Sequence, residues 1–124
     1  MTEMKVHSLK ILPKFFWPVW RGSKTFEVRR NDRDYMPGDW LDLKEWTEEN
    51  GYTGAHTKVV VSYVLRSEDA TGLLAQGTAV LGIHNPVPTL TCPWCGFPII
   101  KGTALPRTSY RCDRCNRGWE DLVA

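Results

Sequence analysis

Four cysteines carry the most specific chemistry in the chain: Cys92-Pro93-Trp94-Cys95 and Cys112-Asp113-Arg114-Cys115, two C-x-x-C pairs separated by sixteen residues. Each pair presents two sulfurs from one tight turn, and two such turns facing each other complete a tetrahedron around one divalent ion, with bonds of about 2.3 Å. Four thiolates fill the coordination shell, so the expected role is a single structural Zn²⁺, not a catalytic one. Pairing as two disulfides is the competing reading, and it belongs to oxidising compartments. Met1-Thr2-Glu3-Met4-Lys5 leads into no apolar run, so neither a secretion signal nor a membrane span is expected, and a cytoplasmic setting is. The spacer is long enough for a β-hairpin. Gly96 and Gly118 stand where tight turns or close backbone approaches are expected, and Trp94, Tyr110 and Trp119 are expected to pack around the ion.

A second constellation is Gly22-Ser23-Lys24-Thr25-Phe26-Glu27-Val28-Arg29. On a strand, Thr25, Glu27 and Arg29 share one face while Phe26 and Val28 share the other. If the apolar pair enters the core, Glu27 and Arg29 point to a surface cleft with Lys24 at its rim, a set of fixed donors and acceptors able to read the edge of a base. A plain solvated face with an ion pair accounts for the same residues.

The elements that must position these groups are short. Lys5–Leu12 alternates and is stopped by Pro13, as a strand is. Residues 15–22 read as a short helix ending at Gly22. Strands are expected at 25–29, 40–46, 58–65 and 79–83, with turn chemistry at Asn31-Asp32-Arg33-Asp34, Pro37-Gly38-Asp39 and Glu48–Gly51. The predicted fold class is α+β, mainly β: a small barrel with one or two short helices over residues 1–85, a Pro-rich linker over 86–91, and a zinc ribbon over 92–124.

The span from His7 to Leu65, with Leu9-Lys10-Ile11-Leu12-Pro13, Gly22–Arg29, Asn31-Asp32-Arg33, Pro37-Gly38-Asp39 and Tyr52-Thr53-Gly54, resembles the DUF3850 group of phage and bacterial proteins, itself similar to the ASCH domains of the PUA-like superfamily. The resemblance covers about half the chain and leaves out the cysteine ribbon. It implies a PUA-like, ASCH-type β-barrel with a cleft beside the helix and the Lys24–Arg29 strand, binding RNA or a modified nucleotide. Some ASCH domains are small amidohydrolases of acetylated cytidine that use a lysine, a threonine and a glutamate. Lys24 matches that lysine, but Glu27 stands where the threonine belongs, so the hydroxyl role is unfilled there. In the enzymatic reading Lys24 and Glu27 are the catalytic pair, with the lysine needing burial to act as a base while an ion pair keeps it charged.

Charge limits the partner. Residues 1–91 balance 11 basic against 11 acidic side chains, and the net +2 comes from the ribbon, where four thiolates on a divalent ion would cancel it. A strong non-specific phosphate binder is therefore excluded, and recognition must rest on a local pocket. Candidate ligand-binding residues are Lys24, Thr25, Glu27, Arg29, Asn31 and Arg33, the last placed to meet a phosphate, with Trp17 as the stacking ring. Trp20, Trp40 and Trp46 could stack likewise, but core packing is the commoner role, and at most one or two of the four tryptophans are expected in a cleft. Tyr52-Thr53-Gly54 is a second lip or only a turn, and His7, His56 and His84 lack the spacing of a metal set. Arg107, Arg111, Arg114 and Arg117 either meet phosphates or offset the thiolates. The expected function is binding of nucleic acid, RNA ahead of DNA, or of a modified nucleotide. The alternatives are a small amidohydrolase of an acylated nucleoside, and a phage interaction module meeting a protein partner through the ribbon, in the bacterial host cytoplasm if phage-encoded.

Overall fold

Alternation in Val6-His7-Ser8-Leu9-Lys10-Ile11 produces strand β1, which buries every second side chain from His7 to Ile11. The computed structural model describes residues 5–86, 90–98, 107–112 and 114–122, with the backbone alone for 107–109 and 120–122. The chain divides into two compact units, Met1–Pro86 and Val87–Ala124. Residues 87–89, half of the expected linker, lie outside the described residues.

In the first unit, helix α1 (Pro13–Arg21) follows β1 at once. Pro13 starts it because the first helical residue needs no N–H partner. It ends at Gly22, whose φ of 88° lets the chain leave through a left-handed cap, with Gly22 N donating to Val19 O and Ser23 N to Pro18 O. Phe16, Val19 and Trp20 form its buried face. Burying Phe16 fully contributes about 2–3 kcal/mol.

Strands β2 (Phe26–Arg30), β3 (Trp40–Thr47), β4 (Gly51–Arg66) and β5 (Thr78–His84) complete a five-stranded sheet in the order β1-β3-β4-β5-β2. Strands β3, β4 and β5 are antiparallel neighbours, β2 lies antiparallel to β5, and β1 runs parallel to β3 with Val6 opposite Trp40. The long β4 bends at irregularities facing Lys44/Trp46 and at Val61/Tyr63, and so serves two partners. Leu9, Ile11, Leu41, Leu43, Val59, Val61, Leu81 and Ile83 fill the core.

Among the described residues the architecture is mainly β with one α-helix, in agreement with the sequence reading. The fourth predicted strand is longer than its β-branched run, because Gly51 already pairs with Thr47. A single 3₁₀ turn, Ser67–Ala70, is held by Arg66 N donating to Asp69 Oδ2 at 3.0 Å. The sheet curls into a half-barrel, and β1 and β2 are the ends of its strand order.

Candidate functional site: an acid held by two cations, and a four-thiol cluster

Strand β2 faces the opposite way from the sequence expectation. Glu27 is only 4% exposed, while Phe26 and Val28 are 47% and 55% exposed. Glu27 lies opposite Leu81 and Arg29 opposite Ala79, and cross-strand partners share a face, so the acid and the arginine point inward. Burial of a carboxylate requires compensation, and two cations supply it. Lys24 Nζ lies 2.5 Å from Glu27 Oε1, and Arg29 Nε donates to Oε2 at 3.0 Å. Lys24 also donates to Phe26 O at 2.9 Å.

The same arginine reaches across the sheet's open side. Arg29 Nη1 donates to Lys10 O at 3.0 Å, and Arg33 Nη1 to Ser8 O at 3.2 Å. These two carbonyls lie on the edge of β1 away from β3, so arginine side chains cover an edge that would otherwise present open acceptors.

Between these edges lies a cleft of about 390 Å³, walled by Leu12, Phe15, Phe26 and Val28, with Lys24, Glu27 and Arg29 at its polar end. Lys24 Nζ sits 5.3 Å from the Phe15 ring centre and 4.9 Å from that of Phe26, within cation–π range of both. The cleft thus offers flat apolar walls, a carboxylate that keeps acceptor capacity, and an ammonium.

Of the residues predicted for this site, Lys24, Glu27 and Arg29 line the cleft together. Thr25 precedes β2, and its carbonyl accepts from Ile83 N at 3.0 Å. Asn31 N donates to Gly77 O, and its buried Oδ1 has no hydrogen-bond partner among the described residues. Arg33 is engaged with Ser8 O. Trp17 packs edge-on between Phe16 and Trp20, with centroids 4.9 Å and 5.6 Å away, and the helix ring at the cleft wall is Phe15. Tyr52 and Gly54 border another cleft of the same unit. Phe15 and Phe26 escaped the sequence reading. The signal was Lys-x-x-Glu-x-Arg: one acid bracketed by two bases can be buried, which turns the neighbouring apolar residues outward.

Beneath the site, His7 and Asp39 form a buried pair at 2.9 Å, and Asp39 also accepts from Met36 N. The Tyr35 ring meets His7 edge-on at 4.9 Å. Burial pushes the Tyr35 phenol up, against the pull of Arg33 and Arg29.

In the second unit the four cysteine sulfurs lie within 4.8 Å of one another, with Cys92–Cys115 at 3.7 Å and Cys95–Cys112 at 3.4 Å. A disulfide needs about 2.05 Å, whereas a four-coordinate ion with metal–sulfur bonds of about 2.3 Å sets its sulfurs about 3.8 Å apart. The cluster could hold one metal ion. Both C-x-x-C turns use one hydrogen-bond scheme: Gly96 N donates to Cys92 O and Cys92 N to Phe97 O, while Asn116 N donates to Cys112 O and Cys112 N to Arg117 O. The residue after each pair is left-handed, Gly96 at φ 77° and Asn116 at φ 63°. Asn116, not Gly118, therefore makes the second turn, because asparagine tolerates that region, and Gly118 begins a strand.

The second turn joins β6 (Arg107–Arg111) to β7 (Gly118–Leu122), an antiparallel pair that flanks Cys112 and Cys115. An isolated bridge, Thr91 to Pro98, closes the first turn. Residues 99–106 and Asp113 lie outside the described residues, as does the side chain of Arg107. Trp119 stacks on Tyr110 at 5.6 Å and meets Trp94 edge-on at 5.2 Å, with Arg117 over the Trp94 ring at 5.0 Å. Arg111 donates to Asn116 Oδ1.

Among the described residues, no helix is long and apolar enough to cross a membrane. Residues 6–83 match a family model described as a domain of unknown function, DUF3850. Over 65 residues the chain is 35% identical to an uncharacterized 12.9 kDa protein in the GpA 3′ region of Escherichia phage P2, a match taking in 52% of this chain and 59% of that relative.

Proposed function

The chain belongs to the DUF3850 family, and on that premise we propose that its first unit is an ASCH-type, PUA-like domain that binds a nucleobase, in RNA or as a modified nucleotide, in the cleft around Lys24, Glu27 and Arg29. The observation that carries this reading is a carboxylate 4% exposed, fixed by two cations, in a cleft also lined by Phe15 and Phe26. A planar heterocycle with a ring N–H or amino group matches it: the rings stack, the acid accepts, and Lys24 donates to a carbonyl. Acyl hydrolysis is less well supported. Lys24 is already committed to Glu27 and to Phe26 O, and Thr25 does not line the cleft.

In the second unit we infer one structural zinc on Cys92, Cys95, Cys112 and Cys115. Soft thiolates select it, and four of them leave no position for substrate. The ion would neutralise the thiolates and fix the two turns against each other.

Calorimetric titration of the full chain with the four nucleoside monophosphates and with acetylated cytidine tests the first claim. Saturable binding lost in Glu27→Ala supports it. Turnover of the acetylated nucleoside would favour the hydrolase, and silence towards every probe would overturn the reading. Elemental analysis tests the second claim, which fails if purified protein holds no stoichiometric zinc.

A further inference from the structure

On the outer face of β1, β3 and β4, a second cleft of about 510 Å³ opens beside the first. A local irregularity creates it. Between the pairs Lys44↔His56 and Trp46↔Tyr52, three residues of β4 oppose the single residue Glu45 of β3. The extra backbone is organised by Thr53, whose hydroxyl donates to the buried Glu45 at 2.8 Å and accepts from Ala55 N at 3.2 Å. Such bulges re-aim side chains, and here Tyr52 stands at the cleft edge, 63% exposed.

The register sets a row of donors across the three strands. Lys10 is the neighbour of Lys44, and Lys44 of His56. Lys10 borders the first cleft, while Lys44 and His56 border the second. Adjacent strands lie about 4.8 Å apart, so the two clefts are separated by little more than the Lys10–Lys44 pair. Asp42 binds His56 Nδ1 at 2.9 Å, orienting the ring and leaving Nε2 as its second hydrogen-bonding atom. Lys10 is steadied over the Trp46 ring at 4.2 Å.

We propose that the second cleft is a subsite for the adjoining nucleotide of a single-stranded nucleic acid whose first base occupies the Lys24–Glu27 cleft. Tyr52 offers the stacking face for the second base. Lys10 and Lys44 meet the phosphate between the two nucleotides, and His56 meets a sugar hydroxyl or the next phosphate. The neutral balance of the unit fits a short contact of this kind better than a long basic track. The proposal rests on the nucleobase reading of the first cleft.

The test compares nucleoside monophosphates with labelled single-stranded RNA and DNA dodecamers of one mixed sequence, using the full chain and the variants Tyr52→Ala and Lys44→Ala. Each variant is expected to weaken the better-bound dodecamer about tenfold, and Tyr52→Ala to leave monophosphate binding unchanged. Lys44→Ala should also lower the salt slope by about one, with Lys44→Arg restoring it. Dodecamer affinity unchanged in both variants overturns the proposal, as does wild-type protein that binds monophosphates but no dodecamer. In either case the first-cleft reading stands. Wild-type protein that binds neither class of probe overturns both.

Discussion

Arg29 donates through Nη1 to the backbone carbonyl of Lys10 at 3.0 Å while its Nε holds Glu27 at the same distance. One guanidinium thus fixes the buried acid and ties together the two strands that end the sheet. The rigid, planar fork of arginine permits this, because its donors point along fixed, separate directions.

Removing Glu27 leaves Lys24 and Arg29 facing each other without the charge that offsets them. Glu27→Ala should cost about 3 kcal/mol, measured by urea unfolding, and abolish ligand binding. Glu27→Gln keeps the shape but not the charge and should cost less.

Phe15 and Phe26 are 42% and 47% exposed, so truncating either should change stability by less than about 1 kcal/mol yet weaken a bound base about tenfold. Trp17→Ala should show the reverse pattern, because its ring packs between Phe16 and Trp20. Unfolding and titration run on the same three variants separate the two roles.

Gly22 turns the chain from α1 toward Lys24 at φ 88°, with open space where a side chain would lie. Gly22→Ala therefore meets no clash, and only the backbone conformation resists it. The expected cost is about 1 kcal/mol, seen in thermal unfolding.

Withdrawing the metal with a strong chelator should loosen the second unit and leave the first folded, since the first has its own core. Near-ultraviolet circular dichroism would follow the Trp94–Trp119–Tyr110 cluster, and amide exchange would show protection retained in β3, β4 and β5. Cys112→Ser should reproduce the loss without chelator.

Metal affinity should rise with pH. Burial pushes the Cys92 thiol up to about 12. At Cys112 desolvation is outweighed by the Cys115 N–H, the Cys95 thiol and the Arg114 N–H, and its value falls to about 7. At neutral pH the incoming ion must displace the Cys92 proton and part of the Cys112 proton. Below about pH 7 both are held, so affinity should fall more steeply there. Competition titrations from about pH 6 to about pH 8 measure that slope.

Strand positions were legible in the sequence because Val6–Ile11 and Trp40–Thr47 alternate, and because Pro13 and Gly22 punctuate the helix. The parallel pairing of β1 with β3 was not, since no local pattern specifies a partner across an intervening helix and strand. Lys24, Glu27 and Arg29 were recognisable as a group, but their face was assigned by hydropathy. An acid bracketed by two cations inverts that rule, and the exposed ring of Phe26 follows only from the inversion. The cysteine pairs were plain from spacing, whereas Asn116 as a turn residue required the backbone angles.

Strand order also bears on how the molecule comes into being. Phe26 must find Gly82, and Val6 must find Trp40, while β3, β4 and β5 are joined to one another as a meander. Distant pairings form late because their loops are costly to close. On a ribosome, Phe15, Lys24 and Glu27 emerge well before the strand that will hold β2 in place. The cleft at Lys24 and Glu27 is therefore expected to be the last part of its unit to take shape, and a chain halted before β5 would carry those side chains on a strand that lacks its partner.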